Sequence, residues 1–167
     1  SELGTTDAMG KLSLAVYFGA FALAQLVCGP LSDSLGRRKV TVLFLMFYVV
    51  GSLVAALGAS VEMLLLGRVL QGIGVSVGVA LSRAMVRDQF TGAESIRIMT
   101  LINLILTVAP AIAPTLGSVM LLFGSWHLLF LVMGAYGLGL IALTQWATRE
   151  THPVAARVPF RLGSVMR

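Results

Sequence analysis

The chain has 167 residues, of which 57% are hydrophobic and only 11% charged, with a formal net charge of +5. Soluble domains carry about 25% charged residues, and a mean hydropathy of +0.94 leaves more apolar surface than a soluble core of this length can hide. The cations sit in connections on one side, which points to orientation in a bilayer and away from nucleic acid. Cys28 is the single cysteine and lies in an apolar run, which excludes an intrachain disulfide and a cysteine-based zinc site. No signal-peptide pattern opens the chain, and its first residue is not Met, so it reads as a piece of something longer.

Five apolar runs approach the ~20 residues that a membrane helix needs. They are Lys11–Leu31, Val40–Leu57, Met63–Val86, Ile98–Phe123 and His127–Ala147. The predicted fold class is therefore an all-α integral membrane protein. The first two runs are joined by Gly29-Pro30-Leu31-Ser32-Asp33-Ser34-Leu35-Gly36-Arg37-Arg38-Lys39. Pro30 is expected to end the first helix, and Gly36 to supply a left-handed turn that reverses the chain. Asp33 can accept hydrogen bonds from backbone or arginine, or face a helix N-terminus. Arg37 and Arg38 can pair with carboxylates, and Asp88, at the next connection on the same side, is the obvious candidate. Such a cluster is either a latch that breaks between conformations or a topology signal with a satisfied turn.

The connections over 58–62 and 124–126 hold no Lys or Arg, whereas 87–97 and the tail from Arg149 are basic. Ten of the twelve cations fall on one side, counting Arg83 at the inner end of the third span, with Lys11 on the other and Arg68 deeper inside that span. The positive-inside rule then places the N-terminus outside and the C-terminus in the cytoplasm, an arrangement suited to a multi-pass protein of the cell inner membrane. An odd number of spans is unusual for a complete carrier, and one helix is expected before Ser1. Pro30 and Pro114 would occupy corresponding positions of an inverted three-helix repeat. Residues 1–150 read as a partial transmembrane bundle, and 151–167, with Pro153 and Pro159, as a cytoplasmic central linker.

In the third span, Gly67-Arg68-Val69-Leu70-Gln71-Gly72-Ile73-Gly74 places Arg68 roughly 9 Å in from the outer end, at about 1.5 Å per residue. An arginine there costs about 3 kcal/mol unless it faces a cavity or a partner. Gln71, three residues on, shares its face. Arg68 either snorkels to the headgroups or points inward on a close-packed face and tunes a carboxylate that carries protons. All seven Asp and Glu lie in connections or terminal segments, so a membrane-embedded proton carrier is expected in sequence outside this chain. Gly74 and Gly78 form a small-xxx-small pair for helix packing.

The fourth span carries Ala109-Pro110-Ala111-Ile112-Ala113-Pro114-Thr115-Leu116-Gly117-Ser118. Two prolines four apart share one helix face, and each removes a backbone donor. The reading is a kinked, tightly packed seal or hinge, against an ordinary proline kink. Gln25 and Asn103 either line a cavity or bond a neighbouring backbone. Tyr17 either contacts an apolar substrate or packs on lipid and helices. His127 and His152 lack ligand-spaced partners, so no metal site is expected. No nucleophile–base pair, P-loop or dinucleotide fingerprint occurs, and neither an enzyme nor an ATP-driven pump is expected.

The segment GPLSDSLGRRK resembles the loop signature between the second and third helices of the major facilitator superfamily. RVLQGIG resembles its fourth-helix motif, and APAIAPTLGS the fifth-helix motif of its drug/proton antiporters. With YFGAFALAQLVCGPLSD and SRAMVRDQF, the chain is most similar to the Bcr/CflA group of multidrug efflux transporters, over about Tyr17 to Glu150. The resemblance implies that Gly29, Asp33, Gly36, Arg37, Arg38 and Asp88 belong to a conformational latch. It implies that Arg68, with Gln71 beside it, couples protons, and that Pro110, Pro114 and Gly117 set antiport direction and limit leak. Ala109 and Ser118 stand where glycines are frequent in the wider antiporter motif. By resemblance the visible helices are the second to sixth of twelve, with the first helix and the C-terminal six-helix half outside the chain.

The expectation is a proton-coupled efflux carrier for amphipathic drugs, working by alternating access, with no cofactor beyond the proton gradient. Its partners would be a drug-like molecule, protons and the bilayer, and the piece alone would not transport. Rival readings are a facilitator exporting a metabolite such as a sugar or amino acid derivative, and a non-transporting membrane interaction module or remnant.

Overall fold

The computed structural model describes residues 7–147. They form five helices: α1 (Asp7–Leu35), α2 (Arg37–Leu57), α3 (Val61–Gln89), α4 (Gly92–Phe123) and α5 (Trp126–Ala147). Each is long and apolar enough to cross a membrane, so the chain is an all-α, multi-pass membrane protein. In lipid every backbone N–H and C=O needs an internal partner, and uninterrupted helices supply it. The five expected spans all fall inside these helices, but the helices run further. The polar stretch read as a loop over 87–97 is mostly the end of α3 and the start of α4, leaving Phe90 and Thr91 as the connection. Hydropathy marks only the lipid-facing length of a helix, whereas hydrogen bonding continues through its charged ends. Arg87 sits in the last turn of α3 and Glu94 in the first turn of α4, each with the sign that suits the helix dipole. The proposed linker at 151–167 lies outside the described residues.

Pro30 does not end α1, which continues to Leu35. A single missing donor is tolerated where side chains and neighbouring helices hold the segment. The one carbonyl left without its helical donor is that of Leu26; beyond the proline the Ser32 hydroxyl donates to the Gly29 carbonyl at 2.7 Å, and that of Ser34 to Leu31 at 2.9 Å. The helix stops instead at Gly36, whose φ of 100° and ψ of 146° lie outside the left-handed helical well and in a region essentially reserved for glycine. One residue therefore separates α1 from α2. We expect Gly36→Ala to lower stability by about 1–3 kcal/mol, read as an earlier thermal unfolding midpoint in detergent. An unchanged midpoint would mean that the turn relaxes.

The centre of the bundle is α3, flanked by α1 and α2, with α5 on the other side of α2 and α4 resting lightly on α3 and α5. Cys28, Val40, Phe44, Val77 and Leu81 form one buried cluster, and Ala55, Ala56 and Phe130 a second nearer the opposite end. Close approach of α2 and α3 depends on glycine. A Cβ at Gly51 would meet the Gly67 carbonyl at 2.7 Å, and one at Gly67 would meet the Gly51 carbonyl at the same distance. Gly74 lies against the backbone of Phe44 and Tyr48, whereas Gly78 has nothing within 4 Å. Of that expected pair, only Gly74 packs.

The paired prolines face outward among the described residues. α4 runs unbroken through Pro110 and Pro114, both are exposed, and none of its span is buried. Its outer leucines, such as Leu122 at 82% exposure, suit contact with lipid tails.

Candidate functional site

At the cationic end of the bundle, Arg37 at the start of α2 joins three helices. Its Nη1 lies 2.8 Å from Asp33 Oδ1 of α1 and its Nε donates to Asp88 Oδ2 of α3 at 3.1 Å. Nη1 also donates to the buried Ser32 hydroxyl at 2.6 Å. The planar guanidinium suits this role, because its donors are fixed in a fork that several acceptors can share. Arg38 pairs with no carboxylate among the described residues. Its Nη2 donates to the carbonyl of Gln145 in the last turn of α5 at 2.5 Å, where a cation caps unpaired carbonyls. Gly29 contributes its carbonyl to Ser32, and Gly36 the backbone turn. Ser32 and Gln145 escaped sequence reasoning, since a serine and a main-chain carbonyl carry no distinguishing spacing.

The second constellation surrounds Arg68 on α3. The side chain does not reach outward. Its guanidinium carbon lies 5.8 Å from the ring centre of Tyr17 on α1 and 5.0 Å from that of Phe130 on α5, within cation–π range. Nη1 donates to Gln71 Oε1 over a long 3.4 Å, and the buried Nε has no hydrogen-bond partner. Gln71 is fully buried and donates to the Ser52 hydroxyl of α2 at 2.8 Å, which in turn donates to the Tyr48 carbonyl. Arg68 is thus held by a polar relay from α2 on one side and two rings on the other. Phe130, 62 residues away, had no sequence signal.

Arg68 opens onto a cavity of about 700 Å³ between α1, α3, α4 and α5. Ala113, Leu116, Gly117 and Met120 face it from α4, at the i, i+3, i+4, i+7 spacing of one helix face. Gly117 therefore shares a cavity with Arg68, while Pro110 and Pro114 are not among the lining residues. Tyr17 meets the cavity only through Arg68. Gln25 does not line it, and Asn103, exposed on α4, accepts a hydrogen bond from Arg83 at 3.2 Å. Among the described residues no cluster of three metal-ligating side chains occurs.

The profile of the Major Facilitator Superfamily matches residues 1–163. The chain belongs to the major facilitator superfamily. Among relatives, it is 36% identical over 168 residues to an uncharacterized MFS-type transporter, YdgK, of Bacillus subtilis, covering 99% of this chain and 42% of that protein. It is 31% identical over 167 residues to the multidrug resistance protein MdtL of Shewanella oneidensis, covering 100% of this chain and 42% of that one. An MdtL of Escherichia coli is 28% identical over 155 residues, 93% of this chain and 40% of its own length. The chain thus spans about two fifths of the length of these relatives. The superfamily consists of transporters and not enzymes, and its members meet a small-molecule cargo and a lipid bilayer.

Proposed function

We propose that this chain is part of a proton-coupled carrier of the Bcr/CflA type that exports small amphipathic molecules across the inner membrane. The observation that carries this reading is the meeting of Arg68 and the Gly117 face of α4 on one apolar cavity. A cavity of this size suits a drug-sized molecule, and relatives named multidrug resistance proteins support the cargo class. Arg68 keeps its charge at physiological pH, so it acts on protons through a partner that titrates. The Asp33–Arg37–Asp88 contacts form a latch at the basic end, which faces the cytoplasm. Alternating access would break and remake them as the bundle rocks.

The test uses cells expressing the intact reading frame, loaded with a panel of anionic, neutral and cationic dyes. Collapsing the proton gradient with a protonophore should raise accumulation of at least one dye to the level of cells without the carrier. Accumulation that ignores the gradient for every dye sinks proton coupling. In the same cells Arg68→Ala should reduce efflux by about tenfold or more, the loss expected when a buried charge contact is removed, while membrane insertion persists. Parental efflux in that variant would remove Arg68 from the mechanism.

A further inference from the structure

Two fully buried polar side chains, Ser52 of α2 and Gln71 of α3, face one another where these helices approach through Gly51 and Gly67. Helix α5 closes over Ser52 at Gly134, where a Cβ would lie 3.5 Å from that of Ser52. Helices of this chain alone make that enclosure, so it stands whatever packs against the bundle from outside.

The chemistry of the pair fixes its geometry. A serine hydroxyl has one proton and two lone pairs, and a carbonyl can only accept. Ser52 Oγ lies 2.8 Å from the Tyr48 carbonyl, one turn back on α2, so its proton is committed there. Toward Gln71, also at 2.8 Å, the hydroxyl can therefore only accept. The half of the amide that faces it must be the NH2 group, which leaves the amide oxygen pointing at Arg68 Nη1, 3.4 Å away. The reverse orientation fails twice. It would set two oxygens against each other with no proton between them, and it would aim an NH2 donor at a guanidinium that has no lone pair to offer. Out of water, each mismatch leaves a buried group unsatisfied.

We propose that Ser52 is a positioning residue for Arg68: its hydroxyl, committed as a donor to Tyr48, holds the Gln71 amide with its oxygen toward the guanidinium. The proposal rests on reading Arg68 as part of a proton-coupled carrier and adds a residue, on a different helix, that acts on it through Gln71.

The test uses the intact reading frame. Ser52→Ala removes the acceptor, whereas Ser52→Thr keeps it, since a threonine hydroxyl can bond the same carbonyl one helical turn back. Gradient-driven dye efflux per inserted carrier should fall about tenfold in the alanine variant, the scale of one buried hydrogen bond, and stay near the parental level in the threonine variant. Packing alone predicts the opposite order, because alanine removes an atom and threonine adds one to a sealed site. Where threonine lowers insertion, the nearly isosteric Ser52→Cys replaces it. Its weakly accepting thiol should behave like alanine, whereas packing alone predicts parental efflux. In a Gln71→Leu background Ser52→Ala should cost nothing further, because residues acting through one another are not additive.

A second readout needs no transport. In the purified intact carrier, isotope-labelled at glutamine nitrogen, the side-chain amide signal lost in Gln71→Leu belongs to Gln71. Its hydrogen-bonded proton should move upfield and exchange faster in Ser52→Ala. Parental efflux in the alanine variant, equal losses in alanine and threonine, an additive loss on the Gln71→Leu background, or an amide signal indifferent to Ser52→Ala overturns the proposal. Parental efflux that ignores the gradient sinks proton coupling instead, and the amide signal still decides what Ser52 does.

Discussion

Replacing Gly67 by leucine should separate α2 from α3 and cost the bundle more than any surface change of similar size. A Cβ at this position would lie 2.7 Å from the Gly51 carbonyl and 2.8 Å from both the Ala55 nitrogen and its Cβ. These are backbone and short side-chain atoms that cannot swing aside, so the helices themselves must move. Overpacking of this kind costs about 1–3 kcal/mol even where rotamers can adjust, and the upper end is expected here. The consequence reaches the site, because Ser52 follows Gly51 and Gln71 lies one turn beyond Gly67. Moving the helices apart lengthens the Gln71–Ser52 bond that holds the polar relay beneath Arg68. The comparison is Gly78→Leu on the same helix, where nothing lies within 4 Å. That change should be neutral or gain up to about 1 kcal/mol of helix propensity. Thermal unfolding of both variants in one detergent decides the matter, and equal midpoints would mean that the α2–α3 contact tolerates a side chain.

The contrast between these two glycines also shows where sequence reasoning stops. Gly74 and Gly78 read identically as a spaced pair, but only the helix rotation decides which one meets a neighbour. The five spans were legible because apolar length is a local property. Their ends were not, because charge marks Arg87 to Arg97 as loop although all of them but Phe90 and Thr91 are helical. Pro30 misled for a related reason: proline removes one donor, to the Leu26 carbonyl, and a helix held by packed neighbours tolerates that loss and runs on to Leu35. The candidate pairing of Arg37 with Asp88 could be named because Asp88 is the acid at the next basic connection. Phe130 against Arg68 could not, since it depends on how α5 docks on α2. For the paired prolines, spacing showed that they share a face but not which way it turns. The structure turns the Ala113–Gly117 side to the cavity and leaves the prolines exposed.

Arg37→Lys separates the two readings of the basic hairpin. As a topology signal, lysine is as good as arginine, because the rule counts positive charge. As a three-helix junction it is not. The guanidinium reaches Asp33, Ser32 and Asp88 from a single planar fork, whereas an ammonium is a point charge on a flexible stem. Lysine should keep one of the acidic contacts and lose the others. With a hydrogen bond to a charged group contributing about 1.5–3 kcal/mol, the variant should be destabilised by about 2 kcal/mol while inserting in the same orientation, read by protease accessibility of its ends. Adding Asp88→Ala should shrink the Arg-to-Lys difference, since contacting residues couple in a double-mutant cycle. If lysine is as stable as arginine and the cycle shows no coupling, Arg37 acts through charge alone. The latch would then have no geometric basis, and alternating access would need a different element to hold its closed end.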